Sequence, residues 1–184
     1  PQTIPGHGPV EGFHPEHLEV GDVVAQIRQA APFISGVTAS GGEATGQESF
    51  VWQLFEAVKT DPELADLTCF VDSNGACALR VWDRLAPLLD GVMIDLKCLD
   101  PVIHEQMTGV ANAPVLASIR HLQKLGLLYE VRLLFLSGVN DDPALVRATG
   151  EWLAAVDPTM RLKVIGFRSH GTRPHDPPLV EPAP

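Results

Sequence analysis

Ser40-Gly41-Gly42-Glu43 closes the apolar run Ile34-Ser35-Gly36-Val37-Thr38-Ala39. Two successive glycines leave backbone N–H and C=O groups that no side chain shields, and Glu43 sets a negative charge beside them. That combination suits a ligand carrying both an ammonium and a carboxylate, as the amino-acid end of a methionine derivative does. The same four residues also make an ordinary strand-to-helix turn, with Glu43 in the first helical turn where the helix dipole favours an acid. What separates the two readings is that four further apolar runs end in comparable chemistry.

The second run, Cys69-Phe70-Val71, ends in Asp72-Ser73-Asn74-Gly75, and the third, Val92-Met93-Ile94, ends in Asp95-Leu96-Lys97. The fourth contains Arg132 and stops at Ser137-Gly138; the fifth stops at Arg168-Ser169-His170-Gly171. Side chains alternate along a strand, so Asp95 and Lys97 project to one face. Lys97 could hold a ligand carboxylate while Asp95 neutralises the pocket or helps bind a cation. Asp72 would lie nearby, and two carboxylates in one pocket repel unless a cation or ammonium sits between them. Each residue has a plainer reading: an Asn-Gly turn at 72–75, a strand-end ion pair at Asp95 and Lys97, a solvated edge charge at Arg132, a loop histidine at His170. Five run ends converging on one chemistry favour a shared site.

The elements that position these residues follow from hydrophobic period. Helical spacing covers 19–31, 47–59, 78–89, 113–125 and 143–156, for example Phe50, Leu54, Phe55 and Val58. Short, nearly continuous apolar runs lie between them at 34–39, 68–71, 91–96, 130–136 and 161–167. The alternation predicts an α/β fold with about five parallel strands, ordered as in the chain and covered on both faces. Active groups in such folds gather at the C-terminal strand ends. Residues 1–18, rich in Pro and Gly, read as loop or linker, residues 19–171 as the folded body, and 172–184 as a Pro-rich tail.

The chain has 184 residues, 45% hydrophobic and 20% charged, consistent with one soluble domain. Its net charge of −10 argues against nucleic acid, and no window approaches the roughly 18 apolar residues of a membrane span. The N-terminus has no signal-peptide pattern, which points to the cytoplasm. Cys69, Cys77 and Cys98 are three in number, with no two spaced for a disulfide framework or a local metal motif. His7, His14 and His17 read as loop histidines.

With these residues in hand, the chain resembles the radical S-adenosylmethionine (SAM) activating enzymes of glycyl radical enzymes, the pyruvate formate-lyase activating enzyme group being the nearest model. The resemblance rests on GVTASGGEATGQESF at 36–50, DSNG at 72–75, IDLK at 94–97, HEQMTG at 104–109, VR at 131–132 and HG at 170–171. Its order and spacing run from about residue 19 to 171. SGGEAT together with CFVDSNG is most similar to the YjjW-type branch.

The resemblance implies a partial parallel (β/α) barrel of the radical SAM type. It also implies roles. Gly41, Gly42 and Glu43 would bind the methionine amino group of SAM, Asp72 and Lys97 its methionine moiety, and His170 its adenosine side. Asn74, Asp95 and Arg132 would complete the SAM pocket, and Asp72 and Asp95, with backbone near Ser73, would form a monovalent cation site. In that family a 4Fe–4S cluster reduces SAM, and the resulting radical takes a hydrogen from a glycine of a partner enzyme, with flavodoxin or ferredoxin as electron donor. The implied class is an oxidoreductase acting on a pyruvate formate-lyase-like protein.

One departure qualifies this. The family holds its cluster through C-x-x-x-C-x-x-C after the first strand, and no such motif occurs here. Cys69 and Cys98 fall in predicted strand regions and Cys77 in a loop, so none is assigned as a ligand. The expectation is therefore an internal piece of the barrel lacking its first strand and cluster loop, inactive alone, with cluster ligands upstream of residue 1. Another radical SAM enzyme, such as an anaerobic ribonucleotide reductase activase, and a cluster-free barrel binding a nucleotide or a protein are the alternatives.

Overall fold

A computed structural model describes residues 17–168. Five strands, β1 (Gly36–Ala39), β2 (Thr68–Ser73), β3 (Gly91–Leu96), β4 (Leu128–Phe135) and β5 (Arg161–Gly166), form one sheet in chain order. Every pairing is parallel. Six α-helices accompany them: α1 (Val20–Ala30), α2 (Glu48–Thr60), α3 (Leu79–Leu85), α4 (Pro101–Thr108), α5 (Ala113–Lys124) and α6 (Pro143–Val156). The strands and five of the helices coincide with the periodic segments of the sequence.

The sixth helix, α4, is not among the expected elements. Only eight residues long, it carries too few apolar positions to declare a period. Its punctuation is nonetheless in the chain. Asp100 caps it, its carboxylate accepting from the N–H groups of Val102 and Ile103 at 2.9 Å, with Pro101 in the first turn. Gly109, at φ 79°, ends it. The same Asp-Pro start recurs at α6, where Asp142 accepts from Ala144 at 2.9 Å and Leu145 at 3.1 Å.

The expectation that helices cover both faces gives way to a different arrangement. Burial alternates along β2 and β3. Val71, Val92, Ile94, Leu96 and Val131 turn to one face and are fully buried with Phe55, Val58, Trp82, Leu85, Ile119 and Leu122 from the helices. The other face carries Phe70, Asp72, Met93, Asp95, Glu130 and Arg132, a polar row that needs an interior with water or ligand in it. A half-barrel, concave on this inner face, explains both halves of the alternation.

At the N-terminal end of that inner face the row becomes aromatic. Phe70 and Tyr129 meet edge to face with ring centroids 4.8 Å apart and planes at 77°. Arg161 lays its guanidinium over Tyr129, 4.3 Å from the centroid. Gly91 leaves room for both rings, since a Cβ there would lie 2.5 Å from Phe70 and 2.9 Å from Tyr129. A register shift between Val92 and Met93 accommodates Tyr129 in β4.

Candidate functional site

The C-terminal ends of β1, β2 and β3 come together around a polar cavity of about 240 Å3. It is lined by Ser40, Gly41, Gly42, Glu43, Asp72, Ser73, Asn74 and Asp95. Gly41 and Gly42 have φ of 90° and 49°, a backbone that side-chain-bearing residues adopt only with strain. No atom lies within 4 Å of where a Cβ would sit on either one, so the glycines serve conformation rather than packing. Both border the cavity.

Glu43 is not in a helical first turn. It caps a short 3-10 turn over Ala44–Gln47. Its Oε1 accepts from the Thr45 N–H at 3.0 Å, the Thr45 hydroxyl at 2.7 Å and the Ser73 hydroxyl at 2.7 Å. Oε2 accepts from the Asn74 N–H at 2.8 Å. The carboxylate therefore staples the loop after β1 to the loop after β2 and fixes the cavity's shape. Ser73 and Thr45 are both buried site-building residues; sequence reasoning gives Thr45 no role and uses only the backbone near Ser73, not the hydroxyl that meets Glu43.

The second loop is anchored from below. Trp82 Nε1 donates to Ser118 Oγ at 2.8 Å, and Ser118 Oγ donates to the Gly75 carbonyl at 2.7 Å. Within the loop, Asn74 Oδ1 accepts from Ala76 N–H at 2.8 Å, the turn its type suggested. Core packing thus sets the height of Asn74 at the cavity rim.

Charge is balanced pairwise. Arg132 reaches across β3: Nη1 donates to Asp72 Oδ2 at 2.7 Å, Nε to Glu130 Oε1 at 2.8 Å, and Nη2 contacts Met93 Sδ at 2.8 Å. Glu130 first, then Asp72, raise the pKa of Arg132 against the cost of its burial. Lys97 Nζ donates to Asp95 Oδ2 at 2.7 Å. Asp72 and Asp95 are thus each neutralised by a partner of their own, and Arg132 is a cross-strand clamp rather than a solvated edge charge.

Glu43, Asp72, Asn74, Asp95, Lys97 and Arg132 stand together at one end of the sheet, as expected, but not in a single cavity. Lys97 lines a second one, which shares Asn74 and Asp95 with the first. His170 lies outside the described residues. Cys69 is in β2, as expected; Cys98 lies two residues beyond β3, not in it. Burial pushes the Cys69 and Cys77 thiols up to about 11 and raises that of Cys98. Among the described residues no three His, Cys, Asp or Glu side chains are grouped to hold a metal. None of the described helices is long and apolar enough to cross a membrane.

Known proteins share this pattern. A pyruvate formate-lyase 1-activating enzyme of Escherichia coli is 31% identical over 162 residues, covering 85% of this chain and 64% of that protein. A pyruvate formate-lyase-activating enzyme of Streptococcus mutans is 28% identical over 156 residues, covering 82% and 59%. The chain is a homologue of the pyruvate formate-lyase activating enzymes. It spans about three fifths of the length of these relatives. No family model matches it.

Solved structures agree on the fold. A domain of a pyruvate-formate lyase-activating enzyme from Bacteroides vulgatus superposes with a TM-score of 0.65 at 22% identity, covering 82% of this chain and 86% of that one. A radical SAM methyltransferase from Sphaerobacter thermophilus gives 0.57 at 19% identity, covering 79% and 45%. The five-stranded parallel sheet is the partial barrel of radical SAM proteins.

Proposed function

We propose that this chain is the SAM-binding part of a radical SAM oxidoreductase that activates a glycyl radical enzyme related to pyruvate formate-lyase. The observation that carries the reading is the Glu43 cradle: one carboxylate and two open glycines at the end of β1, facing Asp72 and Asp95. The names of the homologues point the same way. A ligand with an ammonium beside a carboxylate matches this donor and acceptor set. The bare backbone of Gly41 and Gly42 and the Glu43 carboxylate take the ammonium, and Lys97, which donates to Asp95, donates also to the ligand carboxylate.

Bound there, SAM supplies an adenosyl group that reductive cleavage of its sulfonium turns into a hydrogen-abstracting agent. The residues of the chain do the positioning. Glu43 holds the two loops in register, Arg132 fixes Asp72 in place, and Asp72 with Asp95 offers a place for a monovalent cation beside the ligand. His170 is assigned to the adenosine side. The 4Fe–4S cluster that such chemistry uses finds no ligand set among the described residues. The partners in this reading are a glycyl radical protein and a flavodoxin- or ferredoxin-type donor, in the cytoplasm.

The test is SAM affinity by equilibrium dialysis on the intact protein and its E43Q variant, paired with electron paramagnetic resonance of a candidate glycyl radical partner. Saturable binding, weakened at least tenfold by E43Q, and a glycyl signal that requires SAM are expected. Equal affinity in both proteins would overturn the assignment of the cradle.

A further inference from the structure

The cavity beside the Glu43 cradle has a chemistry of its own. Its volume is about 350 Å3, and α4 closes one side of it with His104 and Thr108. Val110, Val115 and Ala76 supply apolar wall, Lys97 adds a charge, and Asn74 and Asp95 are shared with the first cavity.

His104 is 2% exposed, one of the few polar side chains in the core. Its Nδ1 lies 3.2 Å from the Cys98 carbonyl, an oxygen that can only accept, so the ring proton resides on Nδ1. Nε2 is then a bare acceptor with no protein partner among the described residues. Since no fully buried side-chain nitrogen or oxygen there lacks a partner, Nε2 opens to the cavity. Burial foremost, with the nearby Lys97, holds the imidazole below its usual pKa and keeps it neutral at pH 7.

The other polar groups are mostly spent. The Thr108 hydroxyl donates back to the His104 carbonyl at 2.8 Å, and Asp95 is held by Lys97. Asn74 engages its Oδ1 in its own turn and leaves the amide nitrogen to donate. One acceptor on the α4 side, one donor on the β2 side and aliphatic surface between them complement an extended main chain, in which N–H and C=O alternate.

We propose that this cavity receives a stretch of the protein substrate's backbone, one N–H of which donates to His104 Nε2. Both the neighbouring ligand and the existence of a protein substrate rest on the reading above. His104 is a positioning residue, setting a main-chain segment beside the cofactor.

The probe is acetyl-Ala-Gly-Ala N-methylamide, together with four analogues that each replace one N–H by an ester oxygen or the terminal N-methylamide by a methyl ester. Binding is followed in wild type and variant by the backbone 15N–1H resonances of Asn74, Ala76 and Val110 around the cavity, and in the wild type also by the His104 ring nitrogens. One analogue should bind roughly threefold to tenfold more weakly than the parent, the loss of a single hydrogen bond. In H104N the amide nitrogen can still reach the Cys98 carbonyl, while Oδ1 takes the place of the ring Cδ2 and falls short of the Nε2 position. There the parent should weaken by the same factor and the ester discrimination should vanish, with SAM affinity changed less than twofold. No binding of the parent, or equal binding of all analogues to the wild type, would overturn the proposal. So would an H104N variant that weakens SAM and spares the peptide, which would make the cavity part of the cofactor site. Failure of the wild type to bind SAM would sink the cofactor reading and leave the peptide result to stand by itself.

Discussion

Each end of the sheet carries a lysine–aspartate pair, and the two pairs lead different lives. At the N-terminal end, Asp90 Oδ2 accepts from Lys59 Nζ and from the Cys69 N–H, both at 2.7 Å, and Lys59 also donates to the Leu67 carbonyl at 3.0 Å. Lys59 and Asp90 together tie α2 to the starts of β2 and β3, so the cluster is structural. At the C-terminal end, Asp95 and Lys97 form the same bond at 2.7 Å, yet both border cavities. Residue type and pair distance are alike. What differs is whether backbone partners close the cluster or open space is left for a ligand.

The comparison is broken most severely at Glu43. E43A removes the acceptor for Thr45, Ser73 and Asn74 and should cost about 3 kcal/mol in urea unfolding while abolishing measurable SAM binding. R132M comes next. It leaves Glu130, 9% exposed, without its partner and frees Asp72, for a loss of about 2 kcal/mol and weaker SAM binding. G91A presses a methyl on Phe70 and Tyr129 beneath the site and should cost roughly 1–2 kcal/mol by thermal unfolding, with ligand affinity unchanged.

The smallest effect belongs to the closed end. Burial works against ionisation of Asp90, but Lys59 and the Cys69 N–H outweigh it and hold the carboxyl below its usual 3.8. A depressed carboxyl stabilises the fold above the unfolded value, and that contribution is lost as pH falls below about 3.8 through the folded value. D90N should therefore flatten the acid limb of a stability–pH curve below pH 4 and leave SAM affinity alone. A drop in SAM affinity in D90N would erase the distinction between the two ends.

Much of this was legible in the chain because period and punctuation agree. The five apolar runs became the five strands, since β-branched and aliphatic runs between amphipathic helices bury well as parallel strands. Glu43, Asp72, Asp95 and Lys97 fell at one end for the same reason. The partners of these residues were less legible. Arg132 crosses β3 to reach Asp72, 60 positions away, and no local pattern announces such a contact. His104 stood in the motif HEQMTG without a role, because its helix is too short to show a period, although Asp100-Pro101 and Gly109 marked the two ends. The one-sided cover of the sheet was missed because runs as short as Val92-Met93-Ile94 do not reveal which positions face helices.

The most direct test is a 15N-labelled titration of the protein with SAM, reading every backbone amide. The account predicts shifts concentrated at Gly41, Gly42, Asn74 and Lys97, with Cys69 and Asp90 still. Shifts at Cys69 and Asp90, or none at Gly41 and Gly42 at saturation, would contradict it.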